Sequence, residues 1–271
     1  NVVSIVSFFL RVKYRINYIH TTSVQLSIDS KRHSILNSLL KYRKKLVYSL
    51  NSHFLTNSAG TKKDAINYYG IRENKISVFP LLIKDSPLDY KSFHERENCI
   101  CIIGRLNPSK GHREFLSLFK ECVKKHPTLK LKIIGDGNLK PELIELTKKL
   151  HIENNVVFTG SIPNKKINEL FSSSLISVSS SIDEAYGLVN IEALREGTPL
   201  ISTITAGSID ILEEEKNGLF IHLNNEFSFC ESFETIINNW DFFSKNALRT
   251  FKHSYDMKNI EKHCNELLQF T

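Results

Sequence analysis

From Asn98 onward the chain alternates short, continuously apolar runs with amphipathic segments of helical period. No other feature restricts the possible folds as strongly. The runs at 99–103, 129–134, 156–159, 175–178, 199–202 and 218–221 read as strands. Helices are predicted between them at 113–124, 141–150, 165–171 and 188–195, and after them at 226–238 and 256–268. Strands that are apolar on both faces, each followed by an amphipathic helix, assemble as a parallel sheet with helices on both sides. In such a sheet ligands sit beyond the carboxyl ends of the strands, so the turns that follow each run are the candidate functional segments.

The first third has a different character. It carries 16 Lys and Arg against 7 Asp and Glu in residues 1–97, whereas 98–271 carries 20 against 22, so the net charge of +7 belongs to the front of the chain. A helix is predicted at 2–14, packed along one apolar face. A strand at 16–19 then delivers His20-Thr21-Thr22 at its carboxyl end. A second helix at 33–50 places Ile35, Leu39, Leu46 and Leu50 on an apolar face and clusters Lys41, Arg43, Lys44 and Lys45 in its middle. A strand at 53–56, a helix at 61–69 opening at Asn57-Ser58, and a strand at 76–79 follow. The charged, proline-containing segment 81–97 reads as a linker, dividing the chain into units 1–97 and 98–271.

Composition narrows the class. With 41% hydrophobic and 24% charged residues, the chain is neither disordered nor fibrous, and no segment is long and apolar enough for a membrane helix. The five cysteines (Cys99, Cys101, Cys122, Cys230 and Cys264) show no zinc spacing, and their odd number argues against a disulfide framework. They read as reduced core cysteines of a cytosolic protein. The basic first third calls for an anionic partner, such as membrane lipid, nucleic acid or a phosphorylated acceptor. Only Tyr42 is interleaved with the basic cluster, too few aromatics for a stacking platform, so no nucleic acid partner is expected.

Four strand-end turns carry candidate chemistry. Gly104-Arg105 and Lys110-Gly111 follow the first strand of the second unit and place two cations, suited to a diphosphate, on one loop. Gly135-Asp136-Gly137 follows the second strand, and Phe158-Thr159-Gly160 ends the third, where backbone groups can meet a base edge. Taken alone, each reads better as an ordinary surface loop or tight turn. The fourth is SSSIDEAYGLVNIEALREGTP, residues 179–199. It sets Glu184 before a helix and Glu192 a turn inside it, with Gly187 at the entrance and free backbone N–H groups between them to seat a phosphate. Carboxylates accept hydroxyl hydrogen bonds, so the stretch suits a nucleotide-linked sugar.

Taken in order, GRLNPSKG, IIGDGN, VVFTGSIP, DEAYGLVNIEALREGTPLIST and AGSIDILEEEKNGLFI closely resemble the nucleotide-sugar-binding domain of the family-4 retaining glycosyltransferases, marked by an E-x7-E motif. The resemblance implies a GT-B fold: α/β, two Rossmann-like parallel-sheet domains, with the first represented here only by its back half. It implies that Arg105 and Lys110 bind the donor diphosphate, that Glu184 bonds hydroxyls of the donor sugar and that Glu192 holds the ribose. Backbone groups of Tyr186, Gly187, Leu188 and Val189 would meet the sugar and distal phosphate. Gly104, Gly135, Gly137, Thr159 and Gly160 complete the donor-binding set. INYIHTTS is similar to the family strand that ends in an active-site histidine, which makes His20 the fourth catalytic candidate beside Glu184, Arg105 and Lys110.

The expectation is hexosyl transfer from a UDP- or GDP-sugar to a glycan or lipid-linked acceptor, with retention, in bacterial surface polysaccharide synthesis. No cofactor and no metal are expected, since no DxD motif occurs. The basic segment Lys41, Arg43, Lys44 and Lys45 adds an expected anionic membrane surface, placing the protein in the cytoplasm or peripherally on the inner face of the plasma membrane. A non-catalytic nucleotide-sugar-binding fragment and a basic nucleic-acid-binding protein are the alternatives.

Overall fold

A computed structural model describes residues 2–24, 26 and 34–268. Its strands form two sheets, parallel throughout, as the continuous apolar runs require. In the first unit β1 (Ile16–Ile19), β2 (His53–Thr56) and β3 (Ile76–Val78) lie in that order. The second unit contains β4 (Glu97–Ile103), β5 (Lys130–Ile134), β6 (Val156–Gly160), β7 (Ser174–Ser179), β8 (Leu200–Thr203) and β9 (Gly218–Ile221). Their order is β6-β5-β4-β7-β8-β9. The chain starts at the centre of this sheet, winds outward to β6, then returns beside β4 and winds the other way. The reversal between β4 and β7 is a topological switch point, where sheets of this kind place a ligand crevice above the strand ends.

Helices cover both faces of the larger sheet. Ile100 and Ile102 of β4 point into one core with Phe115, Leu116 and Phe119 of α4 (His112–Lys125) and Phe229 and Phe233 of α9 (Ser228–Asn238). On the opposite face Cys101 joins Phe171 of α6 (Asn164–Ser173) and Ile191 and Leu194 of α7 (Leu188–Arg195). The alternation along β4 thus sends Cys101 and Ile103 to one side and Ile100 and Ile102 to the other, as period two demands. Four of the five cysteines are buried; Cys264, expected in the core, is exposed on α11 (Ile260–Leu268).

Among the described residues, helices also fall where none was predicted, including the short α8 (Ser208–Ile211) and α10 (Trp240–Thr250). Helix α10 buries Trp240, Phe243, Ser244 and Ala247, a helical stripe interrupted by a polar residue. Ser244 is tolerated there because its hydroxyl donates to the Gly197 carbonyl at 2.6 Å. Beyond α10 a single π-helical turn, Phe251–Tyr255, leads the chain back to the linker, where Ile83 N–H donates to Tyr255 O at 3.0 Å and Met257 N–H to Ile83 O at 2.9 Å.

The first unit has a smaller core of Ile19, Phe54, Ala65, Tyr69, Ile71 and Ile76. Helix α1 (Val2–Phe9) ends five residues earlier than predicted. The expected apolar packing fails on it, because Val3, Phe9 and Leu10 are 72–79% exposed. Helix α2 (Ser34–Tyr48) turns Val47 into the core, while Leu39 and Leu46 of the predicted face are exposed. The side chain of Ile35 lies outside the described residues. Helix α3 (Ala59–Tyr69) starts at Ser58, whose side chain accepts from Thr61 N–H, and stops at Gly70 in the left-handed conformation.

Candidate functional site

The two loops flanking the switch point are built against each other. After β4, residues 104–111 run across the sheet end; after β7, residues 180–187 do the same. Ile182 N–H donates to Ser109 O at 2.9 Å, and Ser180 Oγ donates to Lys110 O at 2.8 Å. Lys110 Nζ and Glu184 Oε2 meet as an ion pair, each side chain only about one-fifth exposed. The residues assigned separately to a diphosphate and to a sugar are therefore in contact. Arg105 is exposed on the same loop and makes no side-chain hydrogen bond or ion pair among the described residues.

The next turn supports the first. Gly135 has φ of +130°, and a Cβ there would lie 2.0 Å from the Gly104 carbonyl oxygen, so only glycine lets β5 turn so close to the Gly104–Lys110 loop. Gly137 lies against Leu106. Thr159 is exposed at the end of β6, and Gly160 accepts from Gly135 N–H at 2.9 Å. These four residues form a continuous rim on the β6 side of the crevice.

On the other side, Gly187 adopts φ of +88° and opens α7, leaving the amides of Leu188 and Val189 in its first turn. Tyr186 is buried and its hydroxyl donates to Leu81 O at 2.8 Å, so its side chain ties the loop to the linker and only its backbone is offered to a ligand. Burial pushes that phenol's pKa strongly up. Glu192 is half-buried on α7. Burial holds its carboxyl above the usual range, with Arg195 opposing and Glu196 adding to the shift.

The first unit closes on this loop from the opposite side. Ser58 Oγ and Thr61 Oγ1 both reach the Ala185 carbonyl, at 2.8 and 3.0 Å. Thr22 donates to Asp183, and Ala59 N–H to Asp210. Gly207 N–H bonds Glu184 O at 2.9 Å. The backbone at Glu184 and Ala185, and the side chain of Asp183, are thus fixed by groups from two units. His20, two residues before Thr22, is exposed at the end of β1 on this side of the crevice. Thr22, Thr61 and Asp210 escape sequence reasoning because each partner is 124 or more positions away along the chain.

Two further polar residues are buried here: Asn57, read from the sequence as part of a helix opening, and His112, which was not anticipated. Among the described residues Asn57 Oδ1 is buried without a hydrogen-bond partner, as are both ring nitrogens of His112, two residues beyond Lys110. Burial, with Lys110 adding to it, lowers the His112 pKa to about 4, so the ring is neutral near pH 7.

A family model described as glycosyl transferases group 1 matches residues 89–252, and the chain belongs to that family. An uncharacterized glycosyltransferase of Methanocaldococcus jannaschii, MJ1607, is 25% identical over 224 residues, 77% of this chain and 57% of its own length. The N-acetylgalactosamine-N,N'-diacetylbacillosaminyl-diphospho-undecaprenol 4-alpha-N-acetylgalactosaminyltransferase of Campylobacter jejuni is 24% identical over 221 residues, 80% of this chain and 58% of its own. The chain therefore spans somewhat more than half of these relatives. In structure it is similar to Anabaena HepE, crystallised with UDP and glucose. The TM-score is 0.81 at 20% identity, covering 100% of this chain and 75% of that one. That likeness shows the GT-B fold.

Proposed function

We propose that the chain forms the donor site and part of the facing wall of a retaining hexosyltransferase that uses a UDP- or GDP-sugar. The observation that carries this reading is the Lys110–Glu184 pair at the switch point, with Arg105 on the same loop and the α7 amino terminus beside it. In this reading Arg105, Lys110 and the α7 amides hold the diphosphate. They stabilise the negative charge that builds on it as the glycosidic bond breaks. Glu184 exchanges part of its contact with Lys110 for sugar hydroxyls, and Glu192 accepts from the ribose. His20 meets a sugar hydroxyl from across the crevice. With fixed cations and helix amides bearing the charge, the transfer requires no metal. The incoming hydroxyl attacks from the face the diphosphate leaves, assisted by the departing phosphate oxygen, which retains the anomeric configuration.

The undecaprenol-linked acceptor named for the Campylobacter relative supports a lipid-linked or glycan acceptor and a role in surface polysaccharide synthesis. The basic helix supports placement on an anionic membrane surface, with Arg43 and Lys45 exposed. The other two cations are partly engaged within the protein. Lys41 sits over the Tyr68 ring at 4.1 Å and Lys44 bonds Tyr69 Oη at 3.4 Å. No helix of the described residues is long and apolar enough to cross a membrane.

Thermal shift against UDP-, GDP- and ADP-sugars in the presence of a chelator tests the donor site. A UDP- or GDP-hexose is expected to raise the melting temperature, and Glu192→Gln to abolish the rise. No shift with any nucleotide sugar would remove the reading. Binding without turnover of any acceptor would favour a non-catalytic nucleotide-sugar-binding chain.

A further inference from the structure

Far from the crevice, helices α4 and α9 bring together a set of soft ligands. Cys122 and His126 stand four residues apart on α4 and just past its end, and Cys230 and Glu234 four apart on α9, so each pair projects from one helix face. The Sγ atoms of Cys122 and Cys230 and a ring nitrogen of His126 all lie within 4.8 Å of one another. Glu234 Oε1 completes the group at 3.2 Å from His126 Nε2 and 3.8 Å from Cys230 Sγ. In a tetrahedral zinc site, bond lengths of about 2.0–2.3 Å separate neighbouring donors by about 3.3–3.8 Å. The two separations to Glu234 already fall at that spacing, and Cys122, Cys230 and His126 need to close on one another by about an ångström at most. Glu234, which does not lie within 4.8 Å of all three, must move further to complete the shell.

We propose that Cys122, His126, Cys230 and Glu234 form a structural site for one zinc ion. The two thiols are fully buried, whereas His126 and Glu234 form a half-exposed rim through which an ion enters. Two thiolates, an imidazole and a carboxylate are a zinc-type donor set, softer than magnesium or calcium accept. Loading displaces the two thiol protons to solvent. The resulting complex carries one net negative charge, which Lys125 offsets; its Nζ lies 3.4 Å from Glu234 Oε1. The helices are held in register by aromatic packing, with Phe115 and Phe229 ring centroids 4.8 Å apart and His126 edge-on to Phe233 at 5.1 Å. Little reorganisation is therefore required of the backbone.

The site is structural, because His126 lies at the far end of α4 from the crevice. The 14 residues of α4, His112–Lys125, span about 21 Å at the helical rise. Its occupancy therefore tests independently of the donor reading.

The test is metal analysis of the 271-residue chain purified under reducing conditions from zinc-supplemented cells, followed by cobalt titration of the chelator-treated chain. The expected result is about one tightly held zinc per chain, replaced by cobalt with intense thiolate-to-cobalt charge transfer and tetrahedral d–d bands. His126→Gln and Glu234→Gln, at the rim, should fold without metal yet weaken cobalt binding at least tenfold. Cys230→Ser should weaken the charge-transfer band, leaving only the Cys122 contribution, and weaken cobalt binding. Chelation should lower the melting temperature while leaving the shift produced by a bound nucleotide sugar unchanged. A folded chain that gives no charge-transfer band overturns the proposal. So does zinc retained equally by Cys230→Ser and His126→Gln, or an intact mass lower by two thiol hydrogens from a Cys122–Cys230 disulfide.

Discussion

Strand β4 has an arginine at each end, and the two are used in opposite ways. Arg96, just before the strand, is 7% exposed and surrounded by fixed acceptors. Nη1 donates to Ser174 O at 2.9 Å and Thr198 Oγ1 at 2.8 Å, Nη2 donates to Glu196 O at 2.8 Å, and the guanidinium lies 4.6 Å from the Trp240 ring centroid. Burial lowers its pKa to about 10, which still leaves it charged at neutral pH. Arg105, just after the strand, is exposed and has no such partners among the described residues. A cation whose donors are already used by immobile carbonyls binds the sheet, α6, α7 and α10 together. One whose donors face the crevice is available to a ligand. The same residue type thus marks scaffold at one end of a strand and site at the other, and the difference lies in what the surrounding loops present.

The largest effect is expected at the scaffold end. Arg96→Met should cost about 3 kcal/mol or more, since several buried acceptors lose a charged donor together. A loss below about 1 kcal/mol in denaturant titration would break the contrast.

His112 tests whether the ligand end is assembled at the expense of stability. Its pKa is depressed from 6.5 to about 4 in the folded chain. The unfolded chain therefore binds the extra proton first. The stability contributed by the neutral ring is full above about pH 6.5 and is lost as pH falls toward 4, by at most about 3 kcal/mol. His112→Phe should flatten the stability profile in that window relative to the parent chain. Parallel profiles would show that the ring is solvated after all.

Arg105→Ala is expected to leave stability within about 0.5 kcal/mol. It should weaken nucleotide-sugar binding about 10- to 100-fold, measured by calorimetry, the loss of one or two charge-assisted hydrogen bonds. Equal loss of stability and binding would place it with Arg96. The smallest effect is expected from Ser58→Ala, which removes a helix cap and one of two hydroxyls on the Ala185 carbonyl. About 1 kcal/mol should appear as reduced thermal stability, with a modest loss of donor affinity because the Glu184 loop is less firmly held.

Several features were legible because they are local. The strand-end glycines, the apolar runs and the helix opening at Gly187 follow from backbone sterics and side-chain periodicity within a few residues, and the predicted α7 agrees with its observed bounds. Helix α10 was not legible, since Ser244 interrupts its apolar stripe and is satisfied by partners far along the chain, Gly197, 47 residues earlier, and Tyr90, 154 residues earlier. The predicted apolar face of α2 was wrong in part, because period alone does not tell which flank of a helix meets the sheet.

By itself the sequence determined the parallel α/β class, the strand-end turns and the roster of cations and carboxylates near them, because these depend on short-range spacing. Only the tertiary structure decided which of them touch. The winding of the sheet brings Lys110 to Glu184, 74 positions on, and makes their loops neighbours at the switch point. Helix packing likewise brings Cys122 and His126 to Cys230 and Glu234, although no spacing among the five cysteines suggested a metal. The strand order and helix pairing that unite such residues are set by burial summed over the whole core, which no local stretch specifies.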